Sequence, residues 1–487
     1  MTTTSLLILS VILAYFGVLI GIALTTSLRS NPQSFFLANR QSPWYVVAFG
    51  MIGVSLSGVT FISIPGAVLH AQFSYFQVVL GYLLGYLVIA TLLMPLYYRL
   101  NLVSIYTYLG QRLGPWSYKT GAFFFLLSRT VSASFQLFVA AKILHLGVFQ
   151  ALGVPFWVTA WLSVFLVWIY TFKGGLQTII WTDLWQTTFM LLAAGLTIGL
   201  IQTELNLSFK QLVETVAYSQ YSQIFFWDLN DARNFFKQFF GGAFIAIAMT
   251  GLDQSMMQKN LTCKTLPEAQ KNMFGFCVIL VLVNILFLSL GTLLYAYAGA
   301  KGITLPTRTD DLYPLLAFNY LGQLGAVIFV LGIVAATYST IDSVLTSLTT
   351  SFCIDFLNIQ QRPTLNQPHT LKIVHLGFSV LLVWLMILFQ SVGTGDLITN
   401  LLKAVGFTYG PLLGLYAFGL FTRWSIRDAW VPLVCILAPL WSFILHKHSQ
   451  QWFNGYQFGF EILIVNGLLT FLGLLLLANY GKVDKLN

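Results

Sequence analysis

Again and again along this chain, about twenty apolar residues follow one another with almost no charge between them. The runs fall roughly at 4–27, 44–70, 74–98, 118–143, 154–171, 177–202, 235–258, 272–300, 319–354, 371–391, 396–421, 429–446 and 458–479. Backbone of that length and character satisfies its own polar groups in a bilayer only as helix. The chain therefore reads as an all-α polytopic membrane protein with thirteen transmembrane helices and no room for a separate soluble domain. Composition agrees, with 57% hydrophobic residues, 8% charged residues and a mean hydropathy of +0.80. The first run lacks a basic leader and a small-residue cleavage site, so it reads as a retained helix rather than a signal peptide.

The formal charge of +9 does not point to nucleic acid, because the basic residues sit in short loops and form no patch interleaved with aromatics. Their distribution instead sets orientation. One set of alternate loops carries fifteen Lys and Arg, among them Arg40, Arg99, Lys264 and Arg423, and the other set carries seven, among them Lys210 and Arg308. The richer side faces the cytoplasm, which puts the N-terminus outside and the C-terminus inside the plasma (inner) membrane. Cys263, Cys277, Cys353 and Cys435 are scattered without metal-type spacing and imply no disulfide framework.

Against this hydrocarbon background, residues 335–356 (AATYSTIDSVLTSLTTSFCIDF) stand out. Ala336, Ser339, Thr340 and Ser343 share one helical face, and Asp342 lies among them. Hydroxyls in membrane helices also back-bond to the i−4 carbonyl or mark close packing. A buried carboxylate is different, since it costs about 2.5–3.5 kcal/mol or more unless a partner satisfies it. A hard cation held by oxygens is one such partner, and sodium is the ion expected.

Two spans are interrupted alike. The second reads AFGMIGVSLSGVTFISIPG, with Gly50, Gly53, Gly58 and Pro65; the seventh reads GGAFIAIAMTGLDQ, with Gly241, Gly242 and Gly251. Glycine also serves close packing, but the two spans lie five apart and so run in opposite directions. Paired broken helices in corresponding positions of two inverted halves mark a transporter's binding site. Spans 2–6 and 7–11 are then the repeats. The units are a leading helix and loop (1–43), a first five-helix repeat (44–203), an extracytoplasmic loop (204–234), a second repeat (235–421) and two added helices (422–487).

Five segments in order resemble the sodium/solute symporter family: LSGVTFISIP (Leu56–Pro65), GGLQTIIWTDLWQ (Gly174–Gln186), GLDQSMMQKNLTCK (Gly251–Lys264), the STIDS stretch, and GFTYGPLLGLYAFGLF (Gly406–Phe421). The resemblance covers spans 1 to 11. It implies a five-plus-five inverted repeat of the leucine-transporter type and sodium as the coupling ion. The ion would be held by the carbonyls of Gly53, Leu56 and Ala336 and the hydroxyls of Ser339 and Thr340. As in the sialic acid branch, it also implies a second cation site, carried here by Asp183, Ser339, Asp342 and Ser343. Asp342 stands where a hydroxyl is usual in those relatives, so two acids would meet, and such a pair equally suits proton carriage.

The solute pocket is expected between the broken helices and spans three, four and eleven. Its polar residues would be Ser57, Thr60, Gln77, Arg129 and Lys403, with Phe73 as a lid. Arg129, within SRTVSASFQLF, pairs well with a planar carboxylate. Two plainer roles compete: Arg129 snorkels to the surface, and Lys403 neutralises an acid. Where galactose-type relatives place Asn, Tyr and Trp, this chain has Ala246, Met249 and Thr250, which disfavours a neutral hexose. The expected function is sodium-coupled symport of a small carboxylate-bearing solute by alternating access, with lipid as surroundings and no cofactor beyond Na+. A proton-coupled carrier, or a sodium symporter of a neutral solute, is the alternative. Asp253, Gln254 and Lys259 read as inner-gate residues or as an ordinary helix-end charge cluster. No nucleotide loop, catalytic triad or ligand-spaced His cluster points to an enzyme.

Overall fold

The computed structural model describes residues 3–27, 32–172, 174–361, 367–392 and 406–482. The longer helices in chain order are α1 (Thr3–Thr26), α2 (Trp44–Ser55), α3 (Gly58–Ala71), α4 (Tyr75–Val88), α5 (Pro115–Leu144), α6 (Phe156–Thr171) and α7 (Leu176–Glu204). They continue as α8 (Phe235–Ala246), α9 (Gln254–Asn260), α10 (Leu266–Ala300), α11 (Gly322–Ser351), α12 (Gln367–Val392), α13 (Tyr409–Phe421), α14 (Val431–Trp452) and α15 (Ile462–Leu476). Among the described residues, eight helices are long and apolar enough to cross a membrane, or nine with one bent pair counted. The other apolar runs fold as the shorter helices α2, α6, α13 and α15. The break after Ser55 divides the second run, and the described part of the eleventh begins at residue 406.

The centre of the bundle is α11. In its most apolar window 89% of the residues are buried, against 22–50% for the other spans. Helices α2, α3, α5, α7 and α12 all pack on it, while α8 lies along α4 and α13 along α15. A helix surrounded on all sides has no lipid-facing stripe, which frees it to carry hydroxyls and an acid. At the edge, Trp424–Ile426 pairs antiparallel with Ala478–Lys482.

Both expected interruptions exist, one just before Gly58 and the other just after Gly251, while the other glycines and Pro65 of these spans lie within helix. The second span breaks at Leu56 (φ −100, ψ 80) and Ser57, while Pro65 lies inside the unbroken α3. The Ser57 hydroxyl caps α3 by accepting from the Thr60 N–H at 3.4 Å. The seventh span runs to Gly251 and then bends by 72° into α9. Carbonyls freed at that bend are met by tyrosines: Tyr97 donates to Gly251 O (2.9 Å) and Tyr106 to Leu252 O (3.1 Å). Gly242 has a different task. A Cβ there would sit 2.2 Å from Val78 O, so the residue lets α8 lie against α4.

Candidate functional site

The break in the second span leaves the last-turn carbonyls of α2 without helical donors, and it faces the hydroxyl side of α11. Thr340 Oγ1 lies 3.4 Å from Val54 O and 3.3 Å from Ala336 O. Gly53 donates its N–H to Thr187 Oγ1 at 3.1 Å. A Cβ on Gly53 would stand 2.6 Å from Thr187 Oγ1 and 2.8 Å from Ser339 Oγ, so only glycine fits between those hydroxyls. The hydroxyls of Thr187, Ser339 and Thr340 therefore stand at the break around Gly53, and the α2 carbonyl that Thr340 reaches is that of Val54. Thr187, one turn beyond Asp183, was not singled out in the sequence.

The acids lie one turn deeper. Asp183 on α7 is 1% exposed; its Oδ1 accepts from Ser339 Oγ at 2.8 Å, and its Oδ2 bonds the Lys259 ammonium. Asp342 accepts from Tyr170 (3.1 Å) and Ser343 (3.0 Å), and Gln186 donates to the same Tyr170 hydroxyl (3.3 Å). Asp183, Ser339, Asp342 and Ser343 thus share one hydrogen-bonded cluster, but Lys259, also 1% exposed, is already bonded to Asp183. Lys259 is neither a surface charge nor a loose gate residue. Its partner is 76 residues away, a pairing that no local pattern reveals.

Beside the break lies a cavity of about 240 Å³. Ser57, Thr60 and Arg129 line it, as do Ala246, Met249 and Thr250. Arg129 is not snorkelling: its Nε bonds Asp253 Oδ2 at 2.6 Å, with the side chain 11% exposed, and its Nη2 reaches Met249 O at 3.4 Å. Asp253 also caps α9, accepting from the N–H groups of Ser255 and Met256, and takes the Tyr409 hydroxyl at 3.3 Å. Gln254 bonds the backbone of Ile105 and Val103. The bend of the seventh span is thereby tied to α5, to α13 and to the 103–105 segment.

Two expected pocket residues stand elsewhere. Gln77 donates to Arg233 O (2.8 Å) and accepts from Phe226 N–H (3.4 Å), and the Phe73 N–H bonds Gln223 O (3.1 Å). Both therefore tie down the 205–234 loop rather than line the cavity. Gln77 stands two residues from Tyr75, about 200° round α4 from the face of Tyr75, Tyr82 and Tyr86 that lines the cavity. Lys403 lies outside the described residues. The cavity adds residues that sequence reading passed over: Tyr75, Tyr82 and Tyr86 on α4, Ser132 and Gln136 on α5, and Asn284 on α10. Helical spacing from Tyr75, and from Arg129, was the available signal.

A polytopic helical bundle with broken helices meeting a buried hydroxyl-bearing helix beside a polar cavity is the architecture of a secondary transporter. The chain belongs to the sodium:solute symporter family, whose model matches residues 35–424. It is 26% identical over 437 residues to the sodium/sialic acid symporter NanT of Aliivibrio fischeri, covering 84% of this chain and 82% of that relative. A solved Na+-coupled sialic acid symporter, in a substrate-bound outward-open state, superposes with a TM-score of 0.81 at 18% identity, over 97% of this chain and 99% of that one. Mhp1, a nucleobase-cation-symport-1 family transporter in a closed conformation, matches at 0.56 and 14% identity, over 91% and 93%. Both neighbours have the leucine-transporter fold. The protein is thus a multi-pass membrane protein and a sodium-coupled transporter, with Na+ as coupling ion, and not an enzyme.

Proposed function

We infer that this transporter moves a small carboxylate-bearing solute, an acidic sugar or organic acid, together with sodium by alternating access. The core would be a five-plus-five inverted repeat within thirteen spans, the N-terminus outside and the C-terminus in the cytoplasm. Sodium would bind the carbonyls of Gly53, Leu56 and Ala336 and the hydroxyls of Ser339 and Thr340, tying the broken span to α11. Coupling is then the differential affinity of ion and solute for the two states, and it is reciprocal.

The observation that carries the solute class is a guanidinium on the cavity wall. Asp253 takes Nε of Arg129, and Nη1 has no protein acceptor among the described residues. A planar carboxylate is the natural partner for that remaining edge. Gln136 Oε1 and Asn284 Oδ1, on two cavity-lining residues, are buried without partners. They call for hydroxyl or amide donors on the same guest. The relative named for sialic acid supports the same class. A neutral polyol is the second reading, favoured if Asp253 keeps Arg129 to itself.

The test is binding of a panel of labelled acids, sugars and amino acids to the purified protein in sodium or in choline. A carboxylated solute should bind only in sodium and lose affinity at least about tenfold (~1.4 kcal/mol) in Arg129→Ala. Sodium binding should survive in that variant. Full affinity for an anionic solute in Arg129→Ala would sink the pocket assignment. Binding that ignores sodium and follows pH would make protons the driving ion.

A further inference from the structure

The second cation position implied by the family does not fit a metal ion in this chain, because a side chain already supplies the cation there. We propose that Lys259 is a tethered replacement for the second sodium, so that this transporter binds one sodium per chain. The inference rests on the sodium reading of the first site.

Three observations carry it. First, the contacts: Asp183 uses Oδ1 for Ser339 and Oδ2 for Lys259, so the carboxylate that would hold the ion is engaged on both oxygens. Second, the burial: Lys259 and Asp183 are each 1% exposed, and Gly50 on α2 is what lets Asp183 come so near, since a Cβ there would lie 2.8 Å from the Asp183 Cβ. An ammonium enclosed this way has been stripped of water and is held only by what the protein provides. Third, the charge at the pair. Lys259 sets its ammonium directly against the Asp183 carboxylate, so the acid already has its counter-charge without an ion from solution. A sodium brought to the same carboxylate would put a second positive charge beside the ammonium in a low-dielectric interior.

The position of Lys259 gives the replacement a mechanical role. It sits on α9, beyond the 72° bend of the seventh span, so any movement of α9 away from α7 withdraws the cation from Asp183. An ion from solution would diffuse in and out; this one travels with a helix.

Counting sodium sites tests the proposal without knowing the solute. Radiolabelled sodium is titrated onto the purified full chain at constant ionic strength with choline. The unaltered protein should show one saturable site per chain, and so should Lys259→Arg, which keeps the charge. Lys259→Ala should show two, and adding Asp183→Asn in that background should return the count to one. Two sites on the unaltered protein would overturn the tethered-cation proposal and leave the symporter reading intact. Two sites in Lys259→Ala that persist after Asp183→Asn would overturn it as well. No saturable sodium binding in any form would overturn both. The count on the unaltered protein decides the matter even where Lys259→Ala fails to fold.

Discussion

A methyl group on Gly53 would stand 2.6 Å from one hydroxyl oxygen and 2.8 Å from another, closer than packed atoms approach without displacement. Gly53→Ala should therefore push Thr187 and Ser339 apart and weaken sodium binding about tenfold or more; an unchanged sodium titration would detach Gly53 from the ion. At Asp253 the stakes are electrostatic. Asp253→Asn leaves the Arg129 guanidinium inside the bundle without its counter-charge, a loss of the kind that costs about 3–5 kcal/mol. The melting temperature should fall far more than in Thr60→Ala, whose hydroxyl meets Ser57 and the cavity among the described residues. Sequence reading identified Asp183 on α7 and the acid and hydroxyls of α11 because oxygen-bearing side chains are conspicuous in hydrocarbon. It did not pair Lys259 with Asp183 or Arg129 with Asp253, since contacts across 76 and 124 residues leave no local trace.

The elements show which part of a helix break can be read beforehand. Glycine clusters marked both interrupted spans, but Gly242 serves packing and Pro65 lies within intact helix. The breaks occur where other groups satisfy the freed backbone: the Ser57 cap accepts at one, and the hydroxyls of Tyr97 and Tyr106 donate at the other. Gln77 teaches the converse. Its amide was expected in the pocket and instead holds the loop at Phe226 and Arg233. Gln77→Ala should leave those backbone groups unsatisfied, at about 1–3 kcal/mol. Hydrogen exchange over residues 223–234 should speed up while solute affinity stays constant; a lost affinity with a protected loop would return Gln77 to the pocket. In the same loop, hydrogen bonds from Arg233 hold the Asp231 carboxyl below the usual carboxylate range. A depressed folded value stabilises the ionised form, so this tie is complete above about pH 3.9 and fades as pH falls through the lowered value.

For the whole molecule, the central fact is a lysine that belongs to the chain standing where the family's pattern implies a free ion. Suppose one sodium accompanies one monovalent acid, with Lys259 returning to its place at the end of each cycle. The two cargo charges then cancel, and the membrane potential does no work on loaded translocation. A second sodium would have added about 2.3 kcal/mol at 100 mV. In proteoliposomes, uptake of a monocarboxylate should stay the same when an imposed potential is switched on or reversed. A rate that climbs with inside-negative voltage would return the second ion to the mechanism. A carrier built this way is electroneutral. It keeps working in a depolarised cell, and it can concentrate its cargo no further than the sodium gradient itself, about tenfold for a tenfold gradient.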